Sequence, residues 1–223
     1  MKLKNFFFPT TCVVCGAITE NTTSHICNSC YKALPFRKGF SFCIPTKNDG
    51  FRHCSGVLCP LYYYGEVPRL ISSLKFSGHR EAGVVLGKIL AQQVRRCGFL
   101  GRGNDVVLIP IPLHRDRERR RGYNQAEVIA KTVSDMTGIP MEAQWLLRSV
   151  NTLPQHHNNR AQRLLMEAGF VASRQVRGRT VILVDDVITT GATLESAAEV
   201  LLKNGAKAVF YAAAAGNLPL IPE

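Results

Sequence analysis

Asp185 and Asp186 stand side by side after an unbroken apolar run, Val181-Ile182-Leu183-Val184, and are followed closely by Thr189, Thr190, Gly191, Ala192 and Thr193. Carboxylates accept hydrogen bonds and donate none, so two adjacent ones suit the vicinal hydroxyl donors of a ribose. Their mutual repulsion is relieved when a cation or a sugar lies between them. The threonine hydroxyls, a glycine able to take positive φ and the small Ala192 then make a cradle for phosphate. A helix starting near Thr193 adds the positive end of its dipole. The stretch is expected to hold a ribose 5-phosphate.

A second chemistry is written in cysteine. Seven of the eight cysteines precede residue 60. Cys12-x2-Cys15 and Cys27-x2-Cys30 form two knuckles that can close four thiolates round one Zn²⁺, with Gly16 allowing the tight turn after the first. In a reducing compartment these thiols are not expected to pair as disulfides. A structural Zn²⁺ contributes on the order of 10–16 kcal/mol in finger peptides, which would offset the meagre core that about 60 residues can build. Cys43, Cys54 and Cys59 suggest a second ribbon in which Thr46 occupies the partner position. His53 is an awkward fourth donor beside Cys54, and a site that has lost its metal fits the spacing equally well. Cys97 reads as an ordinary core or surface cysteine.

A third group is cationic. Five arginines fall within the seven positions from Arg115 to Arg121. They make either a solvated basic loop or a mobile flap whose guanidinium forks close over a diphosphate leaving group, bidentate arginine matching phosphate oxygens well. In the second reading Arg120 and Arg121 are the catalytic candidates, since cations that strengthen their hold as charge develops speed departure. Mg²⁺ would share that task. Lys75, just before Phe76 and a turn at Gly78, is either an ordinary solvent-facing lysine or one that reaches the bound anion. The run Gln155, His156, His157, Asn158, Asn159 reads as a polar loop, because adjacent histidines converge poorly on one centre.

These groups need a scaffold. Four apolar residues running into Asp185 predict a central parallel strand covered on both faces, and in open α/β sheets ligands bind at the carboxyl ends of strands. The helix after the loop would bury Leu194, Ala197, Ala198, Leu201 and Leu202 and stop at Gly205. Further elements follow from periodicity: a strand at Leu61–Tyr64, helices around Pro68–Phe76 and Arg80–Cys97, and a strand at Val106–Ile111. After them come a helix over Gln125–Thr137 stopped by Gly138, a strand at Met141–Leu146, a short helix at Arg160–Glu167 and a closing strand at Ala208–Ala214. Strands alternating with helices predict an α/β, mainly parallel sheet with right-handed crossovers. The composition change at Pro60 divides the chain into a cysteine module, residues 1–60, and an α/β domain, residues 61–223.

A chain of 223 residues with formal net charge +12 favours anionic partners, polyphosphate or nucleic acid. No run approaches a membrane span, so no membrane insertion is expected. The apolar start Phe6-Phe7-Phe8 is too short for a signal peptide, and the expected location is cytoplasmic.

Asp185-Asp186-Val187-Ile188-Thr189-Thr190-Gly191-Ala192-Thr193 after an apolar strand resembles the phosphoribosyl-diphosphate (PRPP) motif of type I phosphoribosyltransferases. Purine-salvage members commonly carry an acid where this chain has Thr189. Joined to the paired Cys-x2-Cys knuckles, Leu74-Lys75-Phe76-x-Gly78, Ile109-Pro110-Ile111-Pro112-Leu113 and Arg120-Arg121-Gly122-Tyr123-Asn124-Gln125, the chain resembles the ComF (ComFC) family of competence-related proteins over nearly its whole length. The resemblance implies a zinc ribbon, often doubled, fused to a type I phosphoribosyltransferase-like domain. It implies PRPP bound with Mg²⁺, and a role in uptake and processing of single-stranded DNA during natural transformation. A competence helicase and DNA-loading proteins are the implied partners. Two activities follow as expectations: phosphoribosyl transfer from PRPP to an acceptor, or a non-catalytic adaptor for single-stranded DNA in which PRPP or a nucleotide regulates.

Overall fold

The computed structural model describes residues 10–19, 24–37, 51–76, 78–99, 105–148 and 169–217. Five strands make a wholly parallel sheet: β1 (Gly56–Leu58), β2 (Leu61–Tyr62), β3 (Val106–Pro110), β6 (Thr180–Ile188) and β7 (Ala208–Gly216). Their order is β1-β7-β6-β3, with β2 also on β7. A separate antiparallel pair, β4 (Leu146–Arg148) and β5 (Phe170–Ala172), stands beside it. Along the sheet, Val107, Ile109, Val181, Leu183, Val209 and Tyr211 enter one apolar cluster, and Val106, Leu108, Ile182, Val184, Ala212 and Ala214 the other. Both faces are therefore covered, which explains why β6 shows no polar alternation until Asp185.

Helices α2 (Val67–Phe76), α3 (Arg80–Arg96) and α5 (Gln125–Thr137) pack on the second of these faces, and α6 (Ala192–Lys203) on the first. Two glycines let α3 and α5 lie close together. A Cβ on Gly83 would fall 2.6 Å from Val128 Cγ1, and one on Gly87 2.6 Å from Thr132 Cβ. Helix α5 has the predicted ends because both are chemically marked. Asn124 accepts the N–H of Ala126 as N-cap, and Gly138 closes the last turn at φ +76°.

Three expectations need correction. Leu61–Tyr64 is a strand only to Tyr62, and Gly56–Leu58, ahead of the boundary expected at residue 60, joins the same sheet. The pairs Gly56↔Phe210 and Leu61↔Ala215 keep one register, so β1 and β2 are a single edge interrupted at Cys59-Pro60, where proline has no N–H to give the ladder. Residues 35–37 run along this interruption: Phe36 bridges Leu61, Arg37 N–H donates to Pro60 O (2.9 Å) and Tyr62 N–H to Pro35 O (3.0 Å). Met141–Leu146 is not a strand, since Met141 makes one bridge to Leu108 and a 3₁₀ turn at Ala143–Trp145 intervenes before β4. The arginine segment is not a loop but a helix, α4 (Arg115–Arg121), capped by His114 and ended by Gly122 at φ +75°. The expected helix at Arg160–Glu167, the run Gln155–Asn159, Cys43 and Thr46 lie outside the described residues.

The cysteine module is seated on the main core: Cys12, Ile26 and Leu34 join the cluster that holds Leu70, Leu74 and Leu86. Ser73 Oγ donates to Val13 O at 3.4 Å. No helix among the described residues is long and apolar enough to cross a membrane.

Candidate functional site

Strand β6 outruns its neighbour. β3 pairs with it only as far as Pro110↔Val184, whereas Asp185 still pairs with Ala213 of β7. Beyond Val184 one flank of β6 has no strand beside it among the described residues, and the connection from Ile111 to Gln125 walls a cleft there. Asp185 and Asp186 open into this cleft with Lys75, Arg117, Arg121 and Arg148. The aspartates sit within β6, which continues to Ile188, and not where the strand unwinds.

Lys75 Nζ lies 2.6 Å from Asp186 Oδ2, so this lysine reaches the acidic pair and not open solvent. The Asp186 N–H donates to Asp185 Oδ1 at 2.8 Å. Burial, reinforced by the Asp186 charge, pushes the Asp185 carboxyl up to about 8, against the opposing pull of that N–H and of Lys75. One lysine does not satisfy two adjacent acids, Asp186 buried and Asp185 half-buried. Such a pair gains from a cation or from hydroxyl donors placed between its oxygens.

The threonine–glycine loop continues from the same strand. Gly191 is buried at φ +73°, Thr189, Thr190 and Thr193 are exposed, and α6 starts at Ala192, one residue before the position expected. Thr190 Oγ1 accepts the Ala192 N–H at 3.4 Å. The small hollow inside Thr189–Thr193 shares Asp185 and Thr193 with the larger cleft. A sugar held on the carboxylates therefore has the loop within reach of its 5-phosphate.

The basic groups divide between two adjoining hollows. Arg117 and Arg121 line both, whereas Arg120 lines only the outer one, with Phe76 and Gly78. Arg121 Nη1 donates to Gln125 Oε1 (2.8 Å), and its guanidinium stands 5.4 Å from the Phe76 ring centre. Three cleft residues escaped the sequence reading as site residues. Arg148 arrives from β4, donating through Nε to Pro112 O at 3.3 Å, and burial with the nearby Arg117 charge lowers its pKa while Asp185 opposes this. Asn124 caps α5 and ties the cleft wall by donating to Ile111 O at 3.0 Å. Gln125 is 2% exposed, and its Nε2 is a buried donor with no partner among the described residues. Gln125 lines the cleft, and a buried, unsatisfied donor is costly. Tertiary placement alone brings Arg148 to the cleft, whereas Gln125 lies four residues after its partner Arg121 in the run Arg120–Gln125.

The second centre is in the cysteine module. The sulfurs of Cys12, Cys15, Cys27 and Cys30 lie within 4.8 Å of one another, and Cys15 Sγ is 3.8 Å from Cys27 Sγ. A tetrahedral Zn–S bond of about 2.3 Å implies sulfurs about 3.8 Å apart, so the donor set fits a structural zinc. Gly16, at φ +75°, makes the turn after the first knuckle, and Cys27 Sγ accepts the Cys30 N–H at 3.5 Å as cap of the short helix α1 (Asn28–Lys32). Cys54 and Cys59 are not part of any such group among the described residues. The Cys59 thiol is fully buried and contacts Leu61 O at 3.6 Å, while the Cys54 thiol contacts Gly56 O at 3.1 Å.

Comparison with known proteins gives a consistent pattern. Residues 78–219 match the model of a family described as "Phosphoribosyl transferase domain". Over 144 residues the chain is 33% identical to the DNA utilization protein YhgH of Salmonella typhi, a match covering 63% of each chain and so less than two thirds of that relative's length. It is 40% identical over 100 residues to the competence protein ComFC of Bacillus subtilis, covering 44% of this chain and 39% of that one. It is 28% identical over 221 residues to competence protein F of Haemophilus influenzae, covering 91% and 95%.

Proposed function

The chain belongs to the phosphoribosyl transferase domain family, and from that premise we propose that its cleft binds PRPP with Mg²⁺ and transfers the phosphoribosyl group to an acceptor. One observation carries the reading: the paired acids, the threonine–glycine loop and several cationic side chains line a continuous depression at the carboxyl end of β6. Asp185 and Asp186 accept the ribose hydroxyls, and Thr189, Thr190, Gly191, Ala192 and Thr193 surround the 5-phosphate. Lys75, Arg117, Arg120, Arg121 and Arg148 answer the diphosphate. As a nucleophilic atom of the acceptor bonds to the anomeric carbon, the bond to the diphosphate oxygen breaks and diphosphate leaves with the electron pair. Guanidinium groups already in place stabilise the charge that appears on it without reorganising at that moment. Mg²⁺, when bound, neutralises diphosphate oxygens, and the acidic pair is the donor set that suits it here.

Calorimetry with PRPP and Mg²⁺ should give a saturable heat with the native protein and none when Asp185→Ala and Asp186→Ala are combined. Identical heats from both proteins would sink the reading. Diphosphate released on adding candidate acceptors then tests the transfer step.

The relatives named for DNA utilization and for competence support a role in DNA uptake or processing, and a competence helicase and DNA-loading proteins are the partner classes we propose on the family resemblance. A second reading, an adaptor for single-stranded DNA regulated by PRPP or a nucleotide, is favoured by the exposure of Arg115, Arg117, Arg119 and Arg120 along α4. Contacts to phosphates predict affinity that falls steeply with added salt. Binding indifferent to salt excludes this second reading.

A further inference from the structure

Glu195, in the first turn of α6, is the meeting point of donors from two distant segments. Its Oε2 accepts the Arg52 N–H (3.0 Å) and faces His53 Nδ1 (3.0 Å), while its Oε1 accepts the His53 N–H (3.2 Å) and the Tyr211 hydroxyl (2.5 Å). Burial alone would raise its pKa, yet these donors hold the carboxyl below the usual glutamate range. An acid one turn into a helix whose start seats a phosphate would repel that phosphate. Here the carboxylate is turned to Tyr211 and the segment 51–54, with both oxygens occupied.

Both partners lead back to Gly191. The Phe51 ring meets Tyr211 edge-on, with centroids 5.4 Å apart and planes at 85°. The same ring occupies the space behind Gly191, where an added Cβ would fall 2.0 Å from Phe51 Cε1. Glu195 also holds the turn through its main chain, its N–H donating to Gly191 O at 2.9 Å. Backbone and side chain of one residue thus grip the glycine turn from inside the helix and through the segment behind it.

We propose that Glu195 is a positioning residue for the phosphate loop, its carboxylate pinning the segment 51–54 so that Phe51 supports the Gly191 turn on which Thr189–Thr193 closes round a 5-phosphate. The inference rests on the reading of that loop as the phosphate seat. It makes a stretch ahead of the sheet, near the end of the cysteine module, part of the apparatus that sets affinity for the sugar phosphate.

Two probes separate the loop from the rest of the cleft. Ribose 5-phosphate engages Thr189–Thr193, whereas Mg²⁺-diphosphate engages the arginine side. In the full-length, zinc-loaded protein, Glu195→Ala and Phe51→Ala should weaken ribose 5-phosphate by about tenfold or more, the order expected for losing charge-assisted hydrogen bonds. Glu195→Gln, which keeps one acceptor oxygen, should fall between these and the native protein. Affinity for Mg²⁺-diphosphate should stay within about twofold throughout, a selectivity that general loss of structure would not give. Equal weakening of both probes, or unchanged ribose 5-phosphate binding, overturns the proposal. Should Glu195→Ala fail to fold, Glu195→Gln and Phe51→Leu carry the same comparison. If the native protein binds Mg²⁺-diphosphate but not ribose 5-phosphate, the phosphate-seat reading fails. Amide exchange at Gly191–Thr193 then decides the clamp alone: faster exchange in Glu195→Ala supports it, and unchanged exchange removes it.

Discussion

Asp185 is held in a setting that works against its own charge. Its carboxyl is pushed up to about 8 by burial and by Asp186, from an ordinary value near 3.8. A raised acid binds its proton in the folded state at pH values where the unfolded chain has already released it. Its contribution to stability is therefore complete below the ordinary value and drains away as pH climbs towards 8. Asp185→Asn should accordingly raise the melting temperature of the ligand-free protein by a few degrees, roughly 2–4 °C per kcal/mol at this size. The gain should be larger at pH 8 than at pH 5, and PRPP binding should be lost. Melting curves at the two pH values check the sign; a variant that melts lower at pH 8 refutes the account. Contiguity made this residue readable from the chain: the acids, the threonines and the glycine are neighbours in sequence, so their shared chemistry survives without any knowledge of the fold. Arg148 was not readable, because it reaches the cleft only through β4, and an arginine after two leucines looks like any other.

Among the elements, the best-read are those whose ends carry their own chemistry. Helix α5 begins and stops as expected because Asn124 and Gly138 mark it, and β6 was visible as a buried strand because both its faces are covered. Met141–Leu146 misled because its apolar residues serve a bridge, a 3₁₀ turn and the start of β4 in succession. The arginine run misled in the other direction. The run was read as a solvated loop or a mobile flap, yet Asp116 and Glu118 in the first turn and basic residues in the last give α4 the charge order a helix dipole prefers. Close approach of α3 and α5 makes a quantitative test. Gly87→Ala would set a Cβ 2.6 Å from Thr132 Cβ and 2.9 Å from the carbonyl of Ile129. Overpacking of this kind costs about 1–3 kcal/mol, outweighing the helix-propensity gain of about 1 kcal/mol for alanine over glycine. Urea denaturation should show net destabilisation, and a more stable Gly87→Ala would mean that the helices separate freely.

Over the whole molecule, the cysteine module and the parallel sheet share one apolar core, through Cys12, Ile26 and Leu34 against α2 and α3. Removing zinc should therefore lower the stability of the entire chain, and not merely unravel a tail. A chelator is expected to reduce the melting temperature of the single transition, and zinc added back should restore it; a transition unmoved by chelation would show that the four sulfurs do not hold a structural metal. The sequence could assign each half its chemistry but not this junction, since contacts between segments so far apart leave no local periodicity.

Residues 35–37 lie along the broken border made by β1 and β2, and Pro60 has no amide to offer there. A sheet border left bare is a template on which a foreign chain can grow. Cutting away the first 50 residues to obtain a smaller protein would peel off that shield. The shortened protein is expected to self-associate with concentration, visible by light scattering, while the full chain stays a defined species. That outcome would make the cysteine-rich piece a guard against fibril-like recruitment as well as a part of the common core.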